Sequence, residues 1–325
     1  MRTLLPFKRH ILPLFLLILI TIGGKSQSIG FLDGRVELGL GLGPSFFLGD
    51  LGGIRGTGKT FVKDVNFPFT KLMKGIYLNF YPAEWIGFRL AGNIGKLEGD
   101  DAAIKTNGKD EYERKKRNLK FQSSLSEAYF AMELYPTVFL EQFDGLLYKF
   151  RPYGIVGIGM FHFNPKGEYI DPSGNSSWVP LQPLRLEGQG MSQYPDRKEY
   201  KLTQMNIPMG FGVKYYIKES MFVGLEILHR KTFTDYIDDV STKYINPALF
   251  SQYLSAQDAA IARQLMYREN FLPAYRPRNY VNQQRGDPTE NDAYFSGMIR
   301  LGWRLNGANS PNARAKRQLK CPVYF

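Results

Sequence analysis

The side chains best suited to chemistry are few. The chain has three histidines, His10, His162 and His229, and His10 lies in a leading segment that reads as removable. Asp235, Asp238 and Asp239 come shortly after His229. A histidine oriented by a carboxylate can activate water or a serine, as membrane-embedded hydrolases and acyltransferases do. No Gly-x-Ser-x-Gly nucleophile motif accompanies them, and no ligand spacing points to a metal. Packing at an interface is the plainer reading of both histidines. A second motif, Gly53-Ile-Arg-Gly-Thr-Gly-Lys59-Thr60, has the spacing of a phosphate-cradling loop. That chemistry needs a helix opening at the lysine. The stretch from Phe61 to Pro68 carries no amphipathic period, so a glycine-rich loop without nucleotide is expected.

Composition narrows the setting. Of 325 residues, 14% are aromatic and 43% hydrophobic, too many for a disordered chain. Lys and Arg number 42 against 30 Asp and Glu, a net charge of +12. A single cysteine, Cys321, excludes an intrachain disulfide framework and a cysteine-rich metal site. Residues 1–26 read as a secretory signal peptide: Arg2, Lys8 and Arg9 precede an apolar run from Ile11 to Ile22, and small Gly24 and Ser26 flank a cut before Gln27. A spanning helix needs about 20 apolar residues, and no segment supplies them. An exported chain of this kind is a soluble β-protein or a membrane β-barrel.

Period-two alternation supplies the elements that must position these side chains. Apolar residues alternate with polar or small ones over 35–42, 75–81, 86–94, 126–135, 205–217, 221–229 and 295–305, and less cleanly over 151–163. Alternation alone does not separate a sandwich from a membrane barrel. The joins do: long ones (43–74, 97–122, 164–201, 232–293) alternate with short or medium ones (82–84, 136–149, 218–220). Outer-membrane barrels show that asymmetry, with tight periplasmic turns and long external loops. Tyr81, Trp85, Tyr135, Tyr153, Tyr216 and Trp303 at segment ends are expected to form interfacial girdles. The fold expected is all-β: an eight-stranded antiparallel transmembrane β-barrel over 27–305, with both termini periplasmic. Eight strands enclose a lumen that side chains can fill. Arg89, Tyr129, Glu133 and Arg300 fall on its inner face, and each inward charge should have an opposite partner.

Outside the strands, residues 248–269 have helical spacing and are expected to form one short helix over the external rim, a lid or a docking element for a partner. Lys115, Lys116 and Arg117 read as a solvated loop cluster or a contact for lipid phosphates, not as a nucleic-acid site. The last twenty residues, 306–325, change character. Their Asn-, Ala- and Gly-rich start reads as a linker, Arg314, Lys316, Arg317 and Lys320 follow without an acid, and the end is Cys321, Pro322, Val323, Tyr324 and Phe325. Such a tail is either a frayed terminus or a periplasmic peptide steered by its bases and anchored by its aromatics.

Three stretches carry a resemblance: Arg230-Lys-Thr-Phe-Thr-Asp-Tyr-Ile-Asp-Asp-Val-Ser-Thr-Lys-Tyr244, Gly43-Pro-Ser-Phe-Phe-Leu-Gly-Asp-Leu-Gly-Gly53, and the ending Arg317-Gln-Leu-Lys-Cys-Pro-Val-Tyr-Phe325. Together they resemble PorG-like outer-membrane β-barrel proteins of the type IX secretion system of Bacteroidota. The resemblance implies a non-enzymatic role without cofactor. It also implies partnership with a periplasmic ring of PorK- and PorN-like subunits, tied to the outer membrane in a machine that exports proteins and supports gliding in some relatives. Carried onto this chain, Arg314 to Phe325 becomes the candidate ring contact, and Cys321 a thiol able to pair between chains. Two other readings stay open on the residues alone: a rim enzyme built on His229 with Asp235 or Asp239, and a barrel that binds a lipid or small ligand in its lumen.

Overall fold

The computed structural model describes residues 35–52, 70–104, 109–139, 149–218, 220–273 and 275–305. The signal segment, the phosphate-loop match over 53–60 and the whole tail from 306 lie outside the described residues. Among the described residues there are nine strands: β1 Arg35–Leu48, β2 Lys71–Ala83, β3 Ile86–Asp100, β4 Lys120–Leu134, β5 Phe150–Ile170, β6 Ser176–Pro180, β7 Thr203–Lys218, β8 Met221–Thr232 and β9 Ala293–Arg304. Eight of them form a closed antiparallel meander, with β9 pairing back onto β1. The ninth, β6, is additional to the expected eight. It folds back on the far end of β5 as a hairpin above the wall.

Tracing one ladder around the wall gives the tilt. Val36 pairs with Phe80, then Phe88, Met132, Val156, Met209, His229 and Phe295, and the path returns to β1 at Phe46. Phe46 lies ten residues beyond Val36, the stagger that closes eight tilted strands. That spiral runs along the outer face, and His229 is its one polar side chain. Leu40, Ile76, Leu90, Ile158, Phe211, Leu225 and Ile299 also stand exposed on this face. A solvated barrel would bury such residues, so this exterior belongs in lipid. Among the described residues no helix is long and apolar enough to cross a membrane; the crossing is made by strands.

The inner face is charged and paired, as the strand parity requires. Lys214 Nζ lies 3.2 Å from Glu37 and 3.3 Å from Glu133. Arg89 bridges Glu133 and Glu226, and Arg300 takes the other oxygen of Glu226. Nearer the long joins, the Glu127 carboxylate accepts from Arg230 Nε and Nη2, both at 3.1 Å. It also accepts from Asn93 and Asn206 at 2.8 Å and from Tyr294 at 3.1 Å. Tyr77, Tyr81, Tyr129, Tyr135 and Tyr153 fill the space between these groups.

Three expectations are corrected. The expected girdle includes residues that do not belong to it: Tyr81, Tyr135 and Tyr153 point inward and are buried, and Tyr216 also turns inward, donating to Glu37 at 2.9 Å. Their hydroxyls meet lumen acids, Tyr81 donating to Glu37 at 2.9 Å and Tyr153 to Glu226 at 2.7 Å. Outward aromatics near the short-turn end include Trp303, Tyr215, Phe150 and Phe80, and those near the other end include Phe233 and the stacked pair Phe46–Phe295. The expected single rim helix is two, α2 Phe250–Tyr253 and α3 Ala256–Met266. Leu254 is extended between them, and Ser255 caps the second by accepting from Asp258 N at 3.1 Å. Lys115, Lys116 and Arg117 end a helix, α1 Lys109–Arg117, not an open loop. Arg117 is buried against Asp101 at 2.8 Å, and Lys116 pairs with Glu269 at 3.3 Å.

Removing one member of a lumen pair should be far worse than removing both. Arg230→Met strands the Glu127 carboxylate away from water and is expected to cost about 3–5 kcal/mol. Adding Glu127→Gln should restore most of that loss. Urea unfolding of the barrel in lipid vesicles, read by the gel mobility of the folded form, gives both values.

Candidate functional site

Above the wall the long joins pack into a cap with its own apolar core. Leu181, Leu184 and Leu186 from the β6–β7 join meet Val240, Ile245 and Phe250 from the β8–β9 join and Leu265 and Met266 of α3. An aromatic column links this core to the lumen. Tyr294 touches Phe161, Phe161 stacks on Phe163, Phe163 on Tyr200, and Tyr200 on Tyr236 at 4.8 Å.

The segment Arg230 to Tyr244 is the knot of the cap. Asp238 accepts from Leu51 N at 2.9 Å and from Val240 N at 3.0 Å, tying the end of β1 to the loop after β8. Asp292, just before β9, accepts from Ile237 N at 2.8 Å. Glu187, from the join before β7, accepts from Ser241 N at 3.0 Å, Thr242 N at 2.8 Å and Arg285 Nη1 at 2.9 Å. Asp239 sits at φ +64°, a left-handed conformation that Asp tolerates better than most residues. There its carboxylate accepts from Tyr200 Oη at 2.7 Å. Gly286 presses its Cα onto the Ser241 backbone, where a Cβ would sit 2.7 Å from main-chain atoms. Buried backbone donors are thus satisfied by buried carboxylates, which is what holds irregular chain in place.

This geometry separates the residues a rim enzyme would need. Strand parity puts Arg230 in the lumen and its neighbour His229 on the outer wall. His162 is also on the outer wall, with Nδ1 3.0 Å from Thr203 Oγ1. Asp235, Asp238 and Asp239 are buried inside the cap. The carboxylates and the histidines therefore face different media. Among the described residues no group of His, Cys, Asp or Glu is arranged to hold a metal ion. The candidate ring contacts Arg314, Lys316, Arg317, Lys320, Cys321, Pro322, Tyr324 and Phe325 lie outside the described residues. Sequence reasoning missed Glu187, Arg285 and Asp292 as cap staples; each stands in a long join without periodicity.

Crowding acids in a dry cap should make it pH-sensitive. Burial pushes the Asp235 carboxyl up to about 9, with Asp50 and Asp238 adding repulsion. Burial likewise raises Asp239 to about 7. Asp238 and Asp292 are raised too, burial again leading. The folded cap therefore keeps protons that an unfolded chain releases near pH 4. Its stabilisation is complete below that value and falls as pH rises through about 7 and then about 9. Hydrogen-exchange protection factors of the Ile237 and Val240 amides should drop between pH 6 and 9.5, by at most about tenfold per unit for each group. Asp235→Asn should flatten the upper part of the drop.

A family model described as a domain of unknown function (DUF6089) matches residues 180–258, a span that contains the whole segment Arg230 to Tyr244. No curated protein matches the chain. Among solved structures, OprG from Pseudomonas aeruginosa is 10% identical over 86% of this chain and 99% of that chain, with a TM-score of 0.36. A major outer membrane protein from Thermus thermophilus is 10% identical over 84% and 100%, also at 0.36. Ail of Yersinia pestis is 6% identical over 84% and 100%, at 0.34. The closed eight-stranded wall and its apolar exterior are those of an outer-membrane β-barrel.

Proposed function

We propose that the chain is a non-enzymatic outer-membrane component of the type IX protein secretion machinery, tying a PorK/PorN-type periplasmic ring to the membrane. The observation that carries this reading is the filled lumen. Charge pairs and tyrosines occupy it at two levels, and a packed cap covers one end. A wall of this kind offers no route for cargo, so its work falls to surfaces and termini. The two ends of the wall leave together, with Leu305 N donating to Val36 O at 2.9 Å. They leave on the side of the short turns, away from the cap. On this reading that side is periplasmic, and the tail begins where a ring would stand. The resemblance in the cap knot and in the Cys-Pro ending supplies the identity of the machine.

The tail gives the test. A chain ending at Gly307 should still fold as a heat-modifiable barrel in the outer membrane. It should lose co-purification with the ring subunits, and cargo export should stop. Normal export by that truncated chain would refute the proposal.

A further inference from the structure

The outer wall is not uniformly apolar. One ladder row runs Leu40, Ile76, Gly92, Ala128, Met160 and Met205. Its centre is low: Gly92 and Ala128 are paired directly, between Ile76 at 62% exposure and Met160 at 56%. A Cβ on Gly92 would meet only Glu127 O at 3.8 Å, so the space above it is open. The result is a trough of about 1000 Å³ on the outer wall, within the size range of small-molecule sites.

The next row toward the cap is polar where the trough ends. It runs Leu42, Lys74, Ile94, Ser126, His162 and Thr203. Lys74 is thus an outward ammonium set between two exposed aliphatic side chains, Leu42 and Ile94. One step further toward the cap, Lys96 faces outward beside Ser124. Lys96 lies diagonally across the β2–β3 pair from Lys74, about 7–8 Å away by backbone. Among the described residues neither lysine has an acidic partner. Glu98, the next outward acid on β3, is engaged by Lys71. Glu127 faces the lumen, bound to Arg230. The band therefore carries uncompensated positive charge directly above an apolar groove.

We propose that this trough is a specific site for an anionic membrane lipid: an acyl chain lies over Gly92 and Ala128, and Lys74 and Lys96 receive its phosphate. Ser126 and the Thr203–His162 pair add hydrogen-bonding groups at the same level. The lipid comes from the leaflet on the cap side. The site depends on the wall alone and stands apart from the secretion reading.

Native mass spectrometry of the full chain in detergent, titrated with phosphatidylglycerol or phosphatidylcholine, tests it. Phosphatidylglycerol should be retained preferentially. Lys74→Gln and Lys96→Gln should each weaken that retention about fivefold, the attraction of one lysine near a charged headgroup, and leave phosphatidylcholine unchanged. Gly92→Leu fills the trough without touching the charges and should reduce retention of both lipids. Heat-modifiable mobility verifies that each variant is folded. Equal retention of the two lipids, retention unaffected by Gly92→Leu, or displacement by inorganic phosphate alone would overturn the proposal.

Discussion

The structure depends on charges neutralising one another inside a closed wall. Eight strands staggered by ten residues leave a lumen that must be filled. It is filled here by an alternating chain of ions: Glu37, Lys214, Glu133, Arg89, Glu226 and Arg300. Each is buried, so each needs its neighbour, and removing one strands the next. Tyrosines complete the filling, their rings packing against the cations and their hydroxyls bonding to the acids. Lys214 Nζ lies 4.7 Å from the Phe222 ring centre and 5.0 Å from that of Tyr81. A lumen built in this way is rigid and shut.

The cap is held by a different interaction, carboxylates bonded to backbone amides. Long joins have many unpaired N–H groups, and burying them requires acceptors. Asp238, Asp292 and Glu187 supply these while an apolar core removes water. Several acids gather in a small dry volume, and burial makes them reluctant to ionise. Lumen and cap are joined through the Tyr294–Tyr236 column, and the stretch after β8 is fastened by Asp238 to backbone amides and by Asp239 to the Tyr200 hydroxyl.

Much of the wall was legible because lipid enforces a strict outward period. Leu38, Leu40 and Leu42, or Ile76, Leu78 and Phe80, state their face unambiguously. The strands run further than the alternation implied, β3 to Asp100 and β4 from Lys120. There the wall passes through the headgroup level and out of the membrane, and the outward side turns polar at Lys96, Glu98, Gln122 and Ser124. The hydrogen-bond ladder continues while the hydrophobic signal stops. Inward tyrosines resemble girdle residues for a related reason: at a strand end, one residue of parity decides between lumen and interface. The inward charges Arg89, Glu133 and Arg300 were readable, but their partners were not, since pairing across a lumen joins residues such as Arg89 and Glu226 that are 137 apart in the chain. The cap staples were invisible because an acid that accepts from a distant amide leaves no local pattern.

The central claim is that the wall is closed by its own side chains. Planar-bilayer recording of the purified full chain tests it most directly. The account predicts an electrically silent insertion at neutral pH, with conductance steps appearing only when the lumen pairs at both levels, Glu127 with Arg230 and Arg89 with Glu133, are replaced by small residues. Stable, ohmic conductance steps from the unaltered chain would contradict it.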